Sequence, residues 1–369
     1  MIFSKTAHAV CHIELRFKMS SYFINNKLYP KPFVMNMSVD DFAGIISGFL
    51  PKKLYKYFPN IEINGFNYSI QALENNTVYL QSPIYFDDPY DSLITIDKRE
   101  FMSRMIDFYA ELCEYQFISA PGYEQKLNEF SFFIAKELQN GREIENIFNL
   151  QNIEDKVLHD NILASVLLCK YCIVERYKQD KDKVQKAIDL MIFENYDHAQ
   201  KFLCEKFRIS CFTTTPYSML MWSHYANGHK GFCIEYDLAA IPDSPLFSKL
   251  FPVIYCDERI SLIEQCIEFN TQKVLTNESL WKVFKYGLLM KSVDWKYQNE
   301  WRYISYDSKY ANIGDYNCKF FPVSKVFLGN KMNQDNQQKI VNICRTKGIP
   351  FTGVTICNDK YEMQDSKIL

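Results

Sequence analysis

Three stretches of the chain carry chemically versatile residues at close spacing. The densest is Met221-Trp222-Ser223-His224-Tyr225-Ala226-Asn227-Gly228-His229-Lys230-Gly231, set between Cys211-Phe212-Thr213 and Phe232-Cys233-Ile234-Glu235-Tyr236. It places imidazole and ammonium groups at a helix-to-strand corner, where they can hold a phosphate or carboxylate at a cleft edge near Tyr55 or Tyr57. The same residues also suit a plain structural role, with Trp222 and Tyr225 as core aromatics and His229 closing the helix end. The second stretch runs from Asp294 to Tyr303. A strand starting near Glu300 sets Glu300 and Arg302 on one face and Trp301 and Tyr303 on the other. That pair can line a polar cleft or form a salt bridge within a sheet. The third combines Leu54-Tyr55-Lys56-Tyr57 with Pro83-Ile84-Tyr85-Phe86-Asp87-Asp88-Pro89-Tyr90-Asp91. Its acidic end is a turn that could also ligate a hard cation through Asp88 and Asp91.

These residues need a scaffold, and the hydrophobic period supplies its outline. From Leu54 to Asp91 the texture is strand and turn, with Thr77–Ser82 rich in β-formers and stopped at Pro83. Residues 98–205 switch to a helical period: Phe101, Met105, Phe108, Leu112 and Tyr115 share one face, as do Tyr123, Leu127, Phe130, Ile134 and Leu138. Further helices are expected over 157–177, 184–193 and 196–207. From Ile209 onward strands and helices mix. Strands are expected over 209–213, 231–236, 250–256, 300–306, 320–328 and 351–356, and helices over 218–226, 260–269, 278–290 and 333–347. Mixed order without strict β-α-β alternation predicts an α+β fold with a mixed or antiparallel sheet core and a helical insertion. The domain expectation is an attached N-terminal region over 1–50, one α+β domain over 51–92 and 206–362, and a helical subdomain over 98–205.

Composition narrows the function classes. The chain has 369 residues, with 42 Lys and Arg against 44 Asp and Glu. A net charge of −2 argues against a dedicated non-specific nucleic-acid binder. The 12 cysteines are dispersed rather than dense, which suits reduced thiols and a cytoplasmic location. No signal peptide is recognisable, and the most apolar run, Asn161 to Val174, is interrupted by Lys170 and too short for a membrane span. Gly-rich phosphate fingerprints are absent. Cys169-Lys170-Tyr171-Cys172 is a lone pair inside a helical pattern, so no metal site is expected there. No G-x-S-x-G elbow supports a serine hydrolase.

Taken together and in this order, Leu54–Tyr57, Phe86–Asp91, Cys211–Tyr236, Asn299–Arg302 and Val326-Phe327-Leu328-Gly329 resemble DUF2971, a bacterial family of unknown function. Asp87 departs from its pattern, which usually has Asn before Asp-Pro. The order of elements also resembles ADP-ribosyltransferases: a strand with Lys56 and Tyr57, then Phe212-Thr213-Thr214-Thr215, then a strand bearing Glu300. That resemblance implies NAD as co-substrate, with Glu300, Tyr57 and His224 as catalytic candidates. Tyr55, Lys56, Thr213, Trp222, Tyr225, His229, Lys230 and Arg302 are the implied binding residues. The acceptor stays open between protein, nucleic acid and small molecule, and the oligomeric state is not specified. Two alternatives remain. One is a non-catalytic ligand-binding or sensor module, as in defence or toxin settings. The other is a metal-dependent nuclease using Asp88, Asp91 and Glu300, with Arg302 or Lys296 nearby.

Overall fold

In a computed structural model of the chain, the structure describes residues 21–92, 95–118, 122–154, 204–272, 275–306 and 316–368, with a few single positions between 159 and 190. Helices expected over 157–177, 184–193 and most of 196–207 fall outside the described residues. Strands and helices mix in mixed and antiparallel sheets, so the fold is α+β. The chain divides into two units. Unit 1 draws on residues 1–91, 204–258 and 289–369; unit 2 draws on 92–203 and 259–288. No helix among the described residues is long and apolar enough to cross a membrane.

Unit 1 holds every strand found among the described residues: β1 (Ser21–Ile24), β2 (Lys27–Pro30), β3 (Lys53–Phe58), β4 (Thr77–Leu80), β5 (Phe207–Phe212), β6 (Phe232–Asp237) and β7 (Leu250–Pro252). They continue as β8 (Ile254–Cys256), β9 (Met290–Ser292), β10 (Trp301–Tyr306), β11 (Tyr316–Lys319), β12 (Val323–Gly329), β13 (Phe351–Ile356) and β14 (Met363–Ser366). The largest sheet has the order β14-β13-β12-β6-β3. Only β12 and β13 in it are parallel, because the helix Gln334–Lys347 carries the chain between them as a crossover. Asn333 caps that helix and Gly348, at φ 66, ends it. A second sheet has the order β5-β10-β7, and β4 pairs with β11. The β1–β2 hairpin joins β8 and β9 in a fourth sheet, so residues 21–30 are strands of unit 1.

Two short ladders join these sheets around β5. Tyr55 and Thr213 exchange both backbone hydrogen bonds at 2.8 Å, and Gln81 and Ile209 do so at 3.1 and 2.9 Å. The core beneath gathers Leu54, Phe58, Phe232, Ile234, Trp301, Val326 and Ile340 from five different elements. Full burial of each large apolar side chain contributes about 1.5–3 kcal/mol.

The boundaries differ from the sequence expectation where local chemistry intervenes. The strand expected over 320–328 begins only at Val323, because Pro322, between β11 and β12, offers no N–H to a ladder. The helix expected over 278–290 ends at Leu288, and Met290 opens β9. Unit 2 contains the helices Lys98–Leu112 and Tyr123–Gln139, and also Ile263–Gln272 and Asn277–Leu288. The last two were expected to go with the strand-rich region. The Leu262 N–H donates to the Thr95 carbonyl, and Arg104 grips Glu264 with two hydrogen bonds of 2.8 and 3.0 Å, which ties that segment to the other helices.

Two close approaches in unit 1 admit only glycine. A Cβ on Gly231 would lie 2.0 Å from the Phe58 carbonyl oxygen, and one on Gly329 would lie 2.2 Å from that of His229. Both obstacles are backbone and cannot rotate away. Gly231→Ala and Gly329→Ala should each lower stability by about 1–3 kcal/mol or more, measured by urea unfolding. A change within about 0.5 kcal/mol would refute the close approach.

Candidate functional site

A cavity of about 1170 Å³ opens in unit 1 where β3 and β4 diverge from β5. Strand geometry explains the opening. Ile209 and Thr213 bond to different strands at the two ends of β5, and Cys211, midway between them, presents its backbone to the same edge. There the Cys211 carbonyl accepts a hydrogen bond from Lys56 Nζ at 3.0 Å. Tyr55, Tyr57, Tyr68, Tyr79, Tyr85 and Tyr225 give the cavity an aromatic lining.

Its polar wall is a closed ring of four charges. Arg302 Nη2 lies 2.6 Å from Asp91 Oδ2, and Arg302 Nε lies 2.8 Å from Glu300 Oε1. Lys291 Nζ lies 2.8 Å from Glu300 Oε2 and 3.1 Å from Asp91 Oδ2. All four side chains are nearly fully buried, and the ring is electrically neutral. Burial alone would raise the Glu300 carboxyl, but the adjacent charges of Arg302 and Lys291 prevail and hold it well below the usual carboxylate range. Burial would lower Lys291 and Arg302, and the same carboxylates drive both upward. Gln298 accepts from Lys291 at 2.9 Å and donates to the Tyr225 hydroxyl at 2.7 Å, extending the network to the helix Met219–Tyr225. The Tyr255 hydroxyl accepts from the Glu300 N–H.

Lys56 is different. It lines the cavity, its amine is pushed down by burial, and it forms no ion pair among the described residues. Burial likewise pushes the Cys211 thiol up, so it stays protonated at neutral pH. Trp301 faces Phe212 in the β10–β5 ladder, and Arg302 faces Cys211. One residue further, the same register sets Thr213 opposite Glu300. Thr213 Oγ1 is buried without a hydrogen-bond partner, and so is Ser210 Oγ, on two residues that line the cavity.

The sequence-selected residues thus separate into two sets. Glu300, Tyr57, Tyr55, Lys56, Thr213 and Tyr225 all line the cavity. The hydroxyls of Tyr55 and Tyr57 are engaged elsewhere: Tyr55 donates to Glu235 at 2.9 Å, and Tyr57 donates to the Thr215 carbonyl at 3.1 Å. Arg302 sits behind Glu300 with no exposure. Trp222 does not reach the cavity. It is fully buried edge-on to Tyr57, and its indole N–H donates to the Pro216 carbonyl at 2.7 Å. His224, His229 and Lys230 are not among the lining residues either. His224 is exposed on the helix, with its ring 6.4 Å from that of Tyr297. Three successive left-handed residues, Asn227, Gly228 and His229, turn the chain so that His229 stacks on Trp222 and Lys230 is exposed. Sequence reasoning missed Lys291, Gln298 and Cys211. The first gives no local signal, since it meets Glu300 only through the parallel pairing of β8 with β9.

The cation-binding arrangement considered for Asp88, Asp91 and Glu300 is not assembled. Lys291 and Arg302 already occupy the space between Asp91 and Glu300, and Asp88 accepts from the Tyr90 N–H at 2.9 Å. Among the described residues no cluster of three metal-ligating side chains forms.

Residues 221–303 match the family described as Protein of unknown function (DUF2971). The matched segment contains Tyr225, Lys291, Gln298, Glu300 and Arg302, and hence three of the four charges in the ring. Asp91, Lys56 and Thr213 lie outside it. No curated protein and no solved structure matches the chain.

Removing one partner from a buried ring strands the others. Arg302→Met should cost about 3–5 kcal/mol, read by chemical unfolding at neutral pH. The pH dependence follows from the direction of the Glu300 shift. Its carboxyl titrates below the unfolded value of about 4.3, so its stabilisation is complete above that pH and is lost as pH falls below it. Glu300→Gln should therefore reduce stability at neutral pH and flatten its decline between about pH 5 and pH 2. An acid limb identical to that of the unaltered protein would count against an ionised Glu300.

Proposed function

We propose that unit 1 binds a nicotinamide dinucleotide in this cavity and transfers its ADP-ribosyl group to an acceptor. The observation that carries the reading is the pairing of an ionised, buried carboxylate, Glu300, with the unpartnered Thr213 hydroxyl across one cavity wall. The cavity exceeds the roughly 300–1,000 Å³ of ordinary small-molecule sites, which suits a dinucleotide. Its tyrosine rings offer stacking faces for a flat heterocycle. In the reaction, the bond between ribose C1′ and the nicotinamide nitrogen breaks, and its electron pair leaves with nicotinamide. The acceptor forms the new bond to C1′ and gives up a proton. Glu300 supplies negative charge beside the developing oxocarbenium, and Arg302 and Lys291 keep that carboxylate ionised and oriented. Thr213 positions a ribose hydroxyl, and Lys56 offers a cation to the pyrophosphate.

A second reading has its own observation. Both oxygens of Glu300 are already engaged, one by Arg302 and one by Lys291. A carboxylate so saturated acts as part of the wall, and the cavity is then a binding module without turnover.

Titration calorimetry with NAD, combined with assay of released nicotinamide, tests both. Saturable binding with nicotinamide release supports transfer. Binding without release under any acceptor condition supports the second reading, and no binding at millimolar NAD overturns both. Thr213→Val gives an independent check. It removes an unpartnered hydroxyl, so stability should hold or rise slightly, while NAD affinity should fall by about 0.5–1.5 kcal/mol. Unchanged affinity would remove Thr213 from the ribose site.

A further inference from the structure

The mouth of the cavity carries an unusual combination of surface chemistry. Ile63, Tyr68, Tyr79 and Tyr85 line the cavity and are also exposed, at 46% to 66%. Phe66, stacked on Tyr68, and Ile84 extend the patch outward. Four segments therefore contribute to one apolar collar: the turn closed by the Ile63–Phe66 bridge, the start of the helix Tyr68–Asn75, β4, and the short helix Pro83–Tyr85. Contiguous exposed apolar surface on a folded domain marks an interaction site.

Charge on the collar points to one class of partner. Residues 57–91 contain no Lys, Arg or His, and carry the carboxylates Glu62, Glu74, Asp87, Asp88 and Asp91. Asp91 belongs to the buried ring. Glu62 and Asp87 are exposed, and Asp87 also lines the cavity. Of the cations that line the cavity, Lys291 is in the buried ring, Lys56 donates to the Cys211 carbonyl and Lys319 to the Asn75 carbonyl, while Lys347 donates to the Glu74 carbonyl. Nucleic-acid phosphates would meet carboxylates here, whereas guanidinium and ammonium groups meet carboxylates together with the faces of tyrosine rings.

We infer that this collar docks a basic polypeptide segment, placing a cationic side chain at the cavity mouth. The inference stands apart from the nucleotide reading, since it concerns the rim and needs no dinucleotide. If the cavity does hold the transferred group, the segment docked at the collar is its acceptor, and the acceptor is a protein.

Fluorescence anisotropy on the full chain without nucleotide tests it. The probes are a labelled nonapeptide alternating Arg and Gly, the same peptide with Glu for Arg, and a labelled oligothymidylate. The Arg peptide should bind at least about tenfold more tightly than either other probe, with affinity falling as salt rises. Glu62→Lys combined with Asp87→Lys should weaken it by about tenfold or more. Tyr85→Ser should weaken it by about three- to fivefold. All three side chains are exposed, so the variants should fold, and unchanged thermal unfolding checks that. Tighter binding of the oligothymidylate, or Arg-peptide affinity unaffected by both variants, would overturn the inference. So would sedimentation showing a dimer that Tyr85→Ser dissociates, because a second copy would then be the occupant. Because no nucleotide is present, a failure of NAD binding leaves this result intact, and the reverse also holds.

Discussion

Four charges taken out of water together are costly unless each meets an opposite charge at hydrogen-bond distance. The ring of Asp91, Arg302, Glu300 and Lys291 meets that condition with separations from 2.6 to 3.1 Å. Its members come from a turn after β4, from β9 and from β10 with the residue just before it, so satisfying the ring fixes that sequence-distant turn against β9 and β10. Such a ring contributes less through its net free energy than through the penalty on any arrangement that leaves one charge alone. The cavity wall inherits that definition. Glu300 has one orientation because Arg302 and Lys291 leave it no other, and Tyr225 is tied to it through Gln298.

Around this ring the aromatic and polar surfaces are sorted by the two faces of β3. Leu54 and Phe58 enter the main core with Trp301, while Tyr57 packs on Trp222 in a smaller cluster. Lys56 shares the first face with Leu54 and Phe58, yet it comes at the point where β3 parts from β5, so its amine, 5.3 Å from the centre of the Phe212 ring, reaches the Cys211 carbonyl. The divergence of the two strands thus creates the cavity and also places in its wall an amine that forms no ion pair among the described residues.

Alternation along a strand made part of this readable from the sequence. Glu300 and Arg302 two residues apart, with Trp301 between them and inward on the opposite side, needed only the period of a strand. The α+β class followed from the mixed order of periods. What required the third dimension was partnership. Lys291 carries no local mark, and Asp91, marked in the sequence only as a possible cation ligand, becomes the partner of Arg302 through a contact over a long separation. The polar groups of His224, His229 and Lys230 looked like one helix-end cluster. The seven-residue helix Met219–Tyr225 and the three left-handed residues after it send them elsewhere. Trp222 suits both of its sequence readings, since an aromatic at a corner fits a ligand face and a core equally well, and its full burial and bond to the Pro216 carbonyl put it in the core.

The open middle of β5 has a further consequence. An unpaired strand edge on the outside of a protein invites another chain to add to it. At Cys211 the edge faces inward onto a cavity, where its carbonyl meets the Lys56 amine, so its peptide group is withheld from foreign strands. Recognition through a peptide group does not depend on which side chain that residue bears. The amino acid at such a position can drift, within the limits of packing, while the hydrogen bond from the Lys56 amine stays the same.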